Sequence, residues 1–281
     1  MKEHVKLSLK TSDGQLPDLL TIATLLKEFH SVVDTTYATV AGLKRVSAKD
    51  RESYRIETNE LLKGSLIADL AIVVNAAQLT LPLVGVPELT RVWHYVADGF
   101  KLITALAESR RRNETIEIQG NENIVIVYGD SNKIETYDPW TVMAARRNQR
   151  HWEAIARHVS EDQVNEFRVE GQETKRDAVI NLNNRDLYQT HSELVPEIVN
   201  LNVNILSFNK EINTGYLRVG SDQSIPVGKY SFSVIGHQSR RSYIESMLVD
   251  QVQVAALLEY VVDPVQGRII KRIQIVQIRS R

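Results

Sequence analysis

Two runs of this chain concentrate cations at spacings that can follow a line of phosphates. Residues 139–158 carry Arg146, Arg147, Arg150 and Arg157 against one carboxylate, Glu153. Residues 264–281 carry Arg268, Lys271, Arg272, Arg279 and Arg281 with no acid among them. Neutralisation of phosphates by lysine and arginine is the sequence-independent part of nucleic-acid binding, and small barrels add aromatic side chains on which bases stack. Tyr216, Tyr230, Phe232 and Tyr243 fall in the same C-terminal region. Arg146, Arg147, Arg150, Lys271 and Arg272 are therefore the candidate nucleic-acid contacts. The competing reading is a solvated edge, because lysine and arginine also protect exposed strands from pairing with other chains.

Other chemistry finds less support. His151 and His158 stand seven residues apart on one helical stretch, and His94 and Asp98 stand four apart, but neither pair has a third ligand at metal-binding spacing. Asp162 followed by Glu173 and Lys175 has the residue types of a metal-dependent nuclease, yet all three fall in a polar stretch that reads as a loop. There is no Gly-x-Ser-x-Gly elbow, no Gly-x-Gly-x-x-Gly turn and no phosphate loop, and Lys63-Gly64-Ser65 has the loop's order reversed. The sequence thus assigns no catalytic residue, no cofactor and no metal. An enzyme is the weaker expectation.

The whole chain sets further bounds. Its 281 residues exceed a typical domain, so more than one is expected. A net charge of −1 gives no global attraction to nucleic acid or acidic membranes. The absence of cysteine removes disulfides, thiolate metal sites and a thiol nucleophile, and is consistent with a reducing, cytoplasmic setting. The start of the chain lacks a basic and then apolar leader. The most apolar run, residues 66–86, contains Asp69, Asn75, Gln78 and Pro82. A central aspartate alone costs about 2.5–3.5 kcal/mol to insert into a bilayer, so a buried strand and loop are expected there and no membrane partner.

The elements that would position these residues read as α+β. Residues 5–10 alternate as a strand and residues 16–40 repeat at helical spacing. Strands follow at 54–58 and 66–74, and a long helix at 88–111 ends on Arg110, Arg111 and Arg112. Residues 1–112 therefore predict an N-terminal domain of the order strand-helix-strand-strand-helix. A third helix opens at Asp138-Pro139, a cap followed by a first-turn proline. Residues 160–177 are polar and mostly acidic, and are expected to be a linker. Residues 178–281 contain strand patterns at 198–208, 216–219, 229–235, 252–262 and 268–278, with a short helix expected within 239–249. Five strands and one helix in roughly 90 residues predict a small antiparallel β-barrel.

Between the first domain and the third helix lies an imperfect repeat. Gly120-Asn121-Glu122-Asn123-Ile124-Val125-Ile126-Val127-Tyr128 is followed directly by Gly129-Asp130-Ser131-Asn132-Lys133-Ile134-Glu135-Thr136-Tyr137. Glycine and Asn/Asp supply turns, and the residues after them alternate as strands. Either the two units form an ordinary hairpin, or they are coils completed by a neighbouring subunit, since about three repeats are needed to bury a core. A calcium-binding repeat is disfavoured, because that motif needs a double-Gly pattern and a regularly placed aspartate, and Asp130 is matched by the neutral Asn121. Residues 113–159 are thus the expected oligomerisation segment, with Ile116, Ile118, Val125, Val127, Ile134, Trp140 and Trp152 as contacts.

Lys63-Gly64-Ser65, the two Gly-Asn/Asp-x-Asn turns and Gly228-Lys229-Tyr230-Ser231-Phe232, in this order, resemble a group of uncharacterised bacterial proteins. These have an N-terminal α+β domain, Gly-Asn-x-Asn repeats and a C-terminal five-stranded barrel. The resemblance implies a bacterial or phage source and this architecture, and carries no established activity. The reading that results is a homo-oligomeric, non-enzymatic interaction or assembly protein. The alternative is a nucleic-acid-binding protein that uses the barrel and the basic helix.

Overall fold

The computed structural model describes residues 2–11, 17–62, 66–74, 91–112, 116–118, 124–128, 133–172, 176–221, 223–236, 238–263 and 267–279. For 61–62, 116–118, 124–128 and 133–134 the description covers the backbone. The chain divides into two units, Met1–Gln189 and Thr190–Arg281. Among the described residues it is a mixed α+β protein with five α-helices. No helix among them is long and apolar enough to cross a membrane.

The first unit is built on a five-stranded antiparallel sheet. Its strands are β1 (Lys2–Lys10), β2 (Tyr54–Leu62), β3 (Leu66–Val74), β7 (Glu166–Gly171) and β8 (Asp177–Asn181), in the order β2-β3-β1-β7-β8. Alternation along β1 buries Val5, Leu7 and Leu9 completely. Three helices bury their apolar stripes with this sheet: α1 (Leu19–Val40), α3 (Val92–Arg111) and α4 (Pro139–Arg157). Phe29 of α1 meets Trp93 of α3 and Phe167 of β7, each with ring centroids 6.3 Å apart. Trp152 of α4 packs edge-on against Phe100 of α3 at 4.9 Å. A one-turn helix, α2 (Asp50–Ser53), leads into β2, where Tyr54 stacks on Tyr37 at 4.1 Å.

Helix boundaries follow local chemistry. The Asp18 carboxylate accepts from the N–H groups of Leu20 and Thr21, so α1 begins at Leu19 rather than at residue 16. Asp138 caps α4 in the same way through Trp140 and Thr141, with Pro139 in the first turn as the sequence predicts. Helix α3 has no local side-chain cap at Arg91. The buried Glu3 of β1 reaches across and accepts from the Trp93 N–H at 3.0 Å.

The stretch 160–177, expected to be a linker, instead contains β7. Six of its positions pair with β1, from Val5↔Gly171 to Lys10↔Glu166. The charges that make it look like a loop are the solvent face of a strand. Its buried face is Phe167 and Val169. The second unit accordingly begins at Thr190 rather than at residue 178.

Strands β4 (Ile116–Ile118), β5 (Ile124–Tyr128) and β6 (Lys133–Tyr137) form a three-stranded antiparallel sheet in sequence order. The Gly120–Asn123 and Gly129–Asn132 turns of the repeat lie outside the described residues, as does Lys63-Gly64-Ser65.

In the second unit five strands close into a ring in the order β9-β10-β11-β13-β12, with β12 returning to β9. They are β9 (His191–Asn209), β10 (Thr214–Val219), β11 (Gly228–Val234), β12 (Val252–Asp263) and β13 (Gly267–Arg279), and α5 (Arg240–Ser246) lies between β11 and β12. Four of the pairings are antiparallel. The fifth, β11 with β13, is parallel, a departure from the all-antiparallel expectation. Leu201, Val203, Leu217, Phe232, Val254 and Ile273 fill the interior.

Candidate functional site

The sheet register of the second unit brings together groups that are distant in sequence. Leu217 and Val219 point inward, so Tyr216 and Arg218 of β10 stand on the outer face. Antiparallel pairing puts Tyr216 opposite Ser231 and Arg218 opposite Lys229. On the other side of β11, Phe232 is in register with Ile273, both buried, which places Ser231 and Arg272 on the outer face of neighbouring strands. Tyr216, Ser231 and Arg272 therefore form a row across three strands. Tyr216 is 50% exposed, and the Lys229 ammonium lies 4.5 Å from its ring centre.

This row borders an open groove of about 560 Å³. Phe208, Ile212, Gly215 and Phe232 line its other side. Gly215 is required there, because a side-chain carbon would lie 2.1 Å from the Ser207 backbone oxygen and 2.6 Å from the Phe232 ring. Below the groove Phe208 stacks on Tyr243 at 5.0 Å, and Tyr243 stacks on Phe232 at 6.1 Å. Burial pushes the Tyr243 hydroxyl well above its ordinary range, so it stays protonated and donates to Gln238 Oε1 at 2.5 Å. The groove thus has an aromatic floor and one cation, Arg272, on its lining, with Lys229 beside Tyr216. Among the described residues Arg218, Lys229 and Arg272 make no ion pair.

The predicted cations take different roles. Lys271 pairs with Glu259 at 3.0 Å and donates to Ser192 Oγ at 2.8 Å, whereas Arg272 lines the groove. The Lys271 hydrogen bond, joined by Gln274 and the nearby charges of Lys271 and Arg272, outweighs burial and holds the Glu259 carboxyl below its ordinary value. Arg268 pairs with Glu193 at 2.9 Å and lies 4.3 Å from the Tyr260 ring centre.

The basic helix behaves otherwise. Arg147 donates to Thr39 Oγ1 at 2.8 Å and to the carbonyls of Leu43 and Lys44. It therefore pins the loop after α1 to the last turn of that helix, whose Tyr37, Ala38 and Thr39 carbonyls already accept from Ala41, Leu43 and Gly42, with Gly42 at φ 68°. Arg146 is half-buried, Arg157 pairs with Glu153 at 2.6 Å, and the exposed Arg150 donates to His151 Nε2 at 3.2 Å.

The predicted assembly contacts divide in a similar way. Trp152, expected at an interface, is fully buried against Phe100 in the first unit and reaches no surface. Trp140 is half-buried in the first turn of α4. Ile116, Ile118, Val125, Val127 and Ile134 lie in strands β4–β6, and their side chains are outside the described residues. Asp162 is exposed in the turn before β7, while Glu173 and Lys175 are outside the described residues. His94 faces Asp98 at 3.2 Å, and Arg176 also pairs with Asp98. Burial, with Arg176 and Arg91 adding to it, lowers the His94 pKa more than Asp98 raises it. Among the described residues no three metal-ligating side chains converge.

Sequence reasoning missed Phe208, Arg218 and Lys229. The signal for the last two was present in the alternation of Gly215-Tyr216-Leu217-Arg218 and of Lys229-Tyr230-Ser231-Phe232. It needed only the register between the two strands.

No protein-family model, curated protein or solved structure matches this chain.

Proposed function

We propose that the second unit is a small five-stranded barrel that binds single-stranded nucleic acid across β10, β11 and β13. One observation carries this reading: the half-exposed Tyr216 shares its sheet face with the cations Arg218, Lys229 and Arg272, which make no ion pair among the described residues, beside an aromatic-floored groove. Cations track the phosphates, and the exposed ring of Tyr216 offers a stacking platform that suits any base, with the part-buried Phe208 beside it. The connectivity supports the same reading. Three strands in sequence order, a helix, and two further strands that close the ring through a parallel β11–β13 pair are the arrangement of barrels that hold oligonucleotides on their second and third strands.

The test is fluorescence anisotropy with a labelled oligothymidylate over a salt series. Tyr216→Ala is expected to weaken binding about tenfold, within the ~1–3 kcal/mol that one stacked base contributes. Arg272→Gln is expected to weaken it and to flatten the salt slope by about 0.7, the share of one phosphate on a single strand. Failure of the unaltered protein to bind at low salt would overturn the proposal.

A second observation favours self-assembly. Residues 191–202 of β9 pair with β12, and no described strand pairs with their other edge. Leu194 is 46% and Ile198 54% exposed on this segment. An open edge with apolar side chains invites pairing with another chain. Leu194→Lys with Ile198→Lys is expected to reduce the mass seen by light scattering to one subunit. A wild-type monomer at tens of micromolar, well above a ~1 μM dissociation constant, would sink this reading.

A further inference from the structure

We infer that the cleft between α1 and α4 in the first unit binds the phosphate group of a small molecule. The cleft holds about 220 Å³ and is lined by Ser31 and Thr35 of α1, Lys44 and Arg45 of the following loop, and Arg147, Arg150 and His151 of α4. Two separate segments of chain, the loop after α1 and α4, thus deliver cations to one concavity.

Its charges have distinct fates. Asp34, the carboxylate on the lining, is held by the Arg51 guanidinium through both oxygens and accepts from the Tyr54 hydroxyl at 3.1 Å. Its charge is therefore balanced by a partner outside the cleft. His151 is turned toward Glu28 by a 2.7 Å contact at Nδ1, and its Nε2 accepts from Arg150. Arg147 is fixed by the C-terminal end of α1, and this bond set also holds the loop that carries Lys44 and Arg45. That leaves Lys44, Arg45 and Arg150, which make no ion pair among the described residues. Like charges gathered around one cavity repel each other, and a multivalent anion relieves that repulsion. Arginine forks match phosphate oxygens two at a time, and the Thr35 hydroxyl can add a neutral donor, while Ser31 donates to the Lys27 carbonyl.

Size selects the source of the phosphate. The volume falls below the ~300–1,000 Å³ typical of sites for drug-sized ligands, so it suits a phosphate or diphosphate group rather than a base and sugar together. The cleft belongs to the first unit and shares no residue with the groove of the second.

Isothermal titration of the full chain with sodium pyrophosphate, against sodium chloride at matched ionic strength, tests the assignment. Saturable heat is expected with pyrophosphate alone. Lys44→Gln and Arg45→Gln, both at exposed positions, are each expected to weaken binding about tenfold, the effect of one charge-assisted hydrogen bond, with no change in melting temperature without the anion. Tyr216→Ala should leave pyrophosphate binding unchanged, which separates this site from the proposed nucleic-acid face. Absence of saturable heat, or wild-type affinity in both loop variants, would overturn the inference. Displacement of pyrophosphate by an oligothymidylate would overturn the small-molecule assignment and give the cleft to nucleic-acid phosphate.

Discussion

Arg51, Lys10 and Arg147 of the first unit each tie two elements together, whereas Arg218, Lys229 and Arg272 of the second stand on the outside of a sheet and make no ion pair among the described residues. Both units are rich in arginine and lysine, so composition does not separate them. Partners do. A cation that ties a loop to a helix through carbonyls and a hydroxyl is less available to a ligand, and its removal registers as lost stability. A cation left to solvent on a regular face contributes little to folding, and its removal should register in binding. The comparison separates the arginine run of α4, in which Arg147 and Arg157 are tied to other groups of the fold, from the alternation of β10 and β11, which sets Arg218 and Lys229 on an outer face.

The largest effects should come from breaking each unit's core and reading the two apart. Trp93, Trp140 and Trp152 all belong to the first unit, so tryptophan fluorescence reports on it alone, while far-UV circular dichroism reports on both. Trp152→Ala removes a fully buried ring and should cost about 4 kcal/mol, the middle of the range for such truncations. Gly215→Ala should cost about 3 kcal/mol or more, because the new carbon meets backbone as well as the Phe232 ring. In urea, Trp152→Ala is expected to move the fluorescence transition. Gly215→Ala should leave that transition in place and bring forward part of the dichroism change. If both probes shift together in both variants, the units do not unfold separately and the contrast between them loses its physical basis.

A second test addresses the charges themselves. Arg147→Ala leaves the Leu43 and Lys44 carbonyls and Thr39 without their donor, and should destabilise the first unit by about 2 kcal/mol, as expected for charge-assisted bonds at a partly buried site. Arg272→Ala, on the face of the second unit, should change stability by less than about 0.5 kcal/mol, as surface substitutions do. Equal losses in the two variants would erase the distinction between a structural and an available cation.

How much of this was legible in the sequence follows from the range of the interactions. Asp138-Pro139 and the strand patterns of the C-terminal region are local signals, and they give α4 and four strands of the ring nearly at their observed limits, whereas β9 begins at His191, seven residues before the expected start. Strand β7 was hidden because its outward side chains, Glu166, Arg168 and Glu170, pair with one another and with Lys10, and in sequence such residues resemble a solvated loop. Arg147 looked free because its partners stand more than a hundred positions earlier in the chain. The groove was half visible. Tyr216 and Arg272 were candidates from composition, but the row they form with Ser231 depends on a parallel pairing that no local pattern encodes.

The smallest effect sharpens the comparison where burial and charge oppose each other. Burial acts to raise the Glu166 pKa, but hydrogen bonds from Lys10 and Arg168 outweigh it and hold the carboxyl below its ordinary value. Because the folded state lowers this pKa, the pairing stabilises the first unit above the unfolded carboxylate value of about 4.3 and is lost as pH falls through the lower folded value. Lys10 is exposed, and solvent screening limits the contribution to about 1 kcal/mol or less. Glu166→Gln should therefore lower the stability read by tryptophan fluorescence slightly at pH 7. Its gap from the unaltered protein should narrow as pH falls below the unfolded value of about 4.3 and close once pH has passed the lower folded value. A gap that persisted unchanged at pH 3 would assign the loss to packing of the longer-range strand pair β1–β7 rather than to charge, and the first unit would then owe less to its ion pairs than the contrast with the second requires.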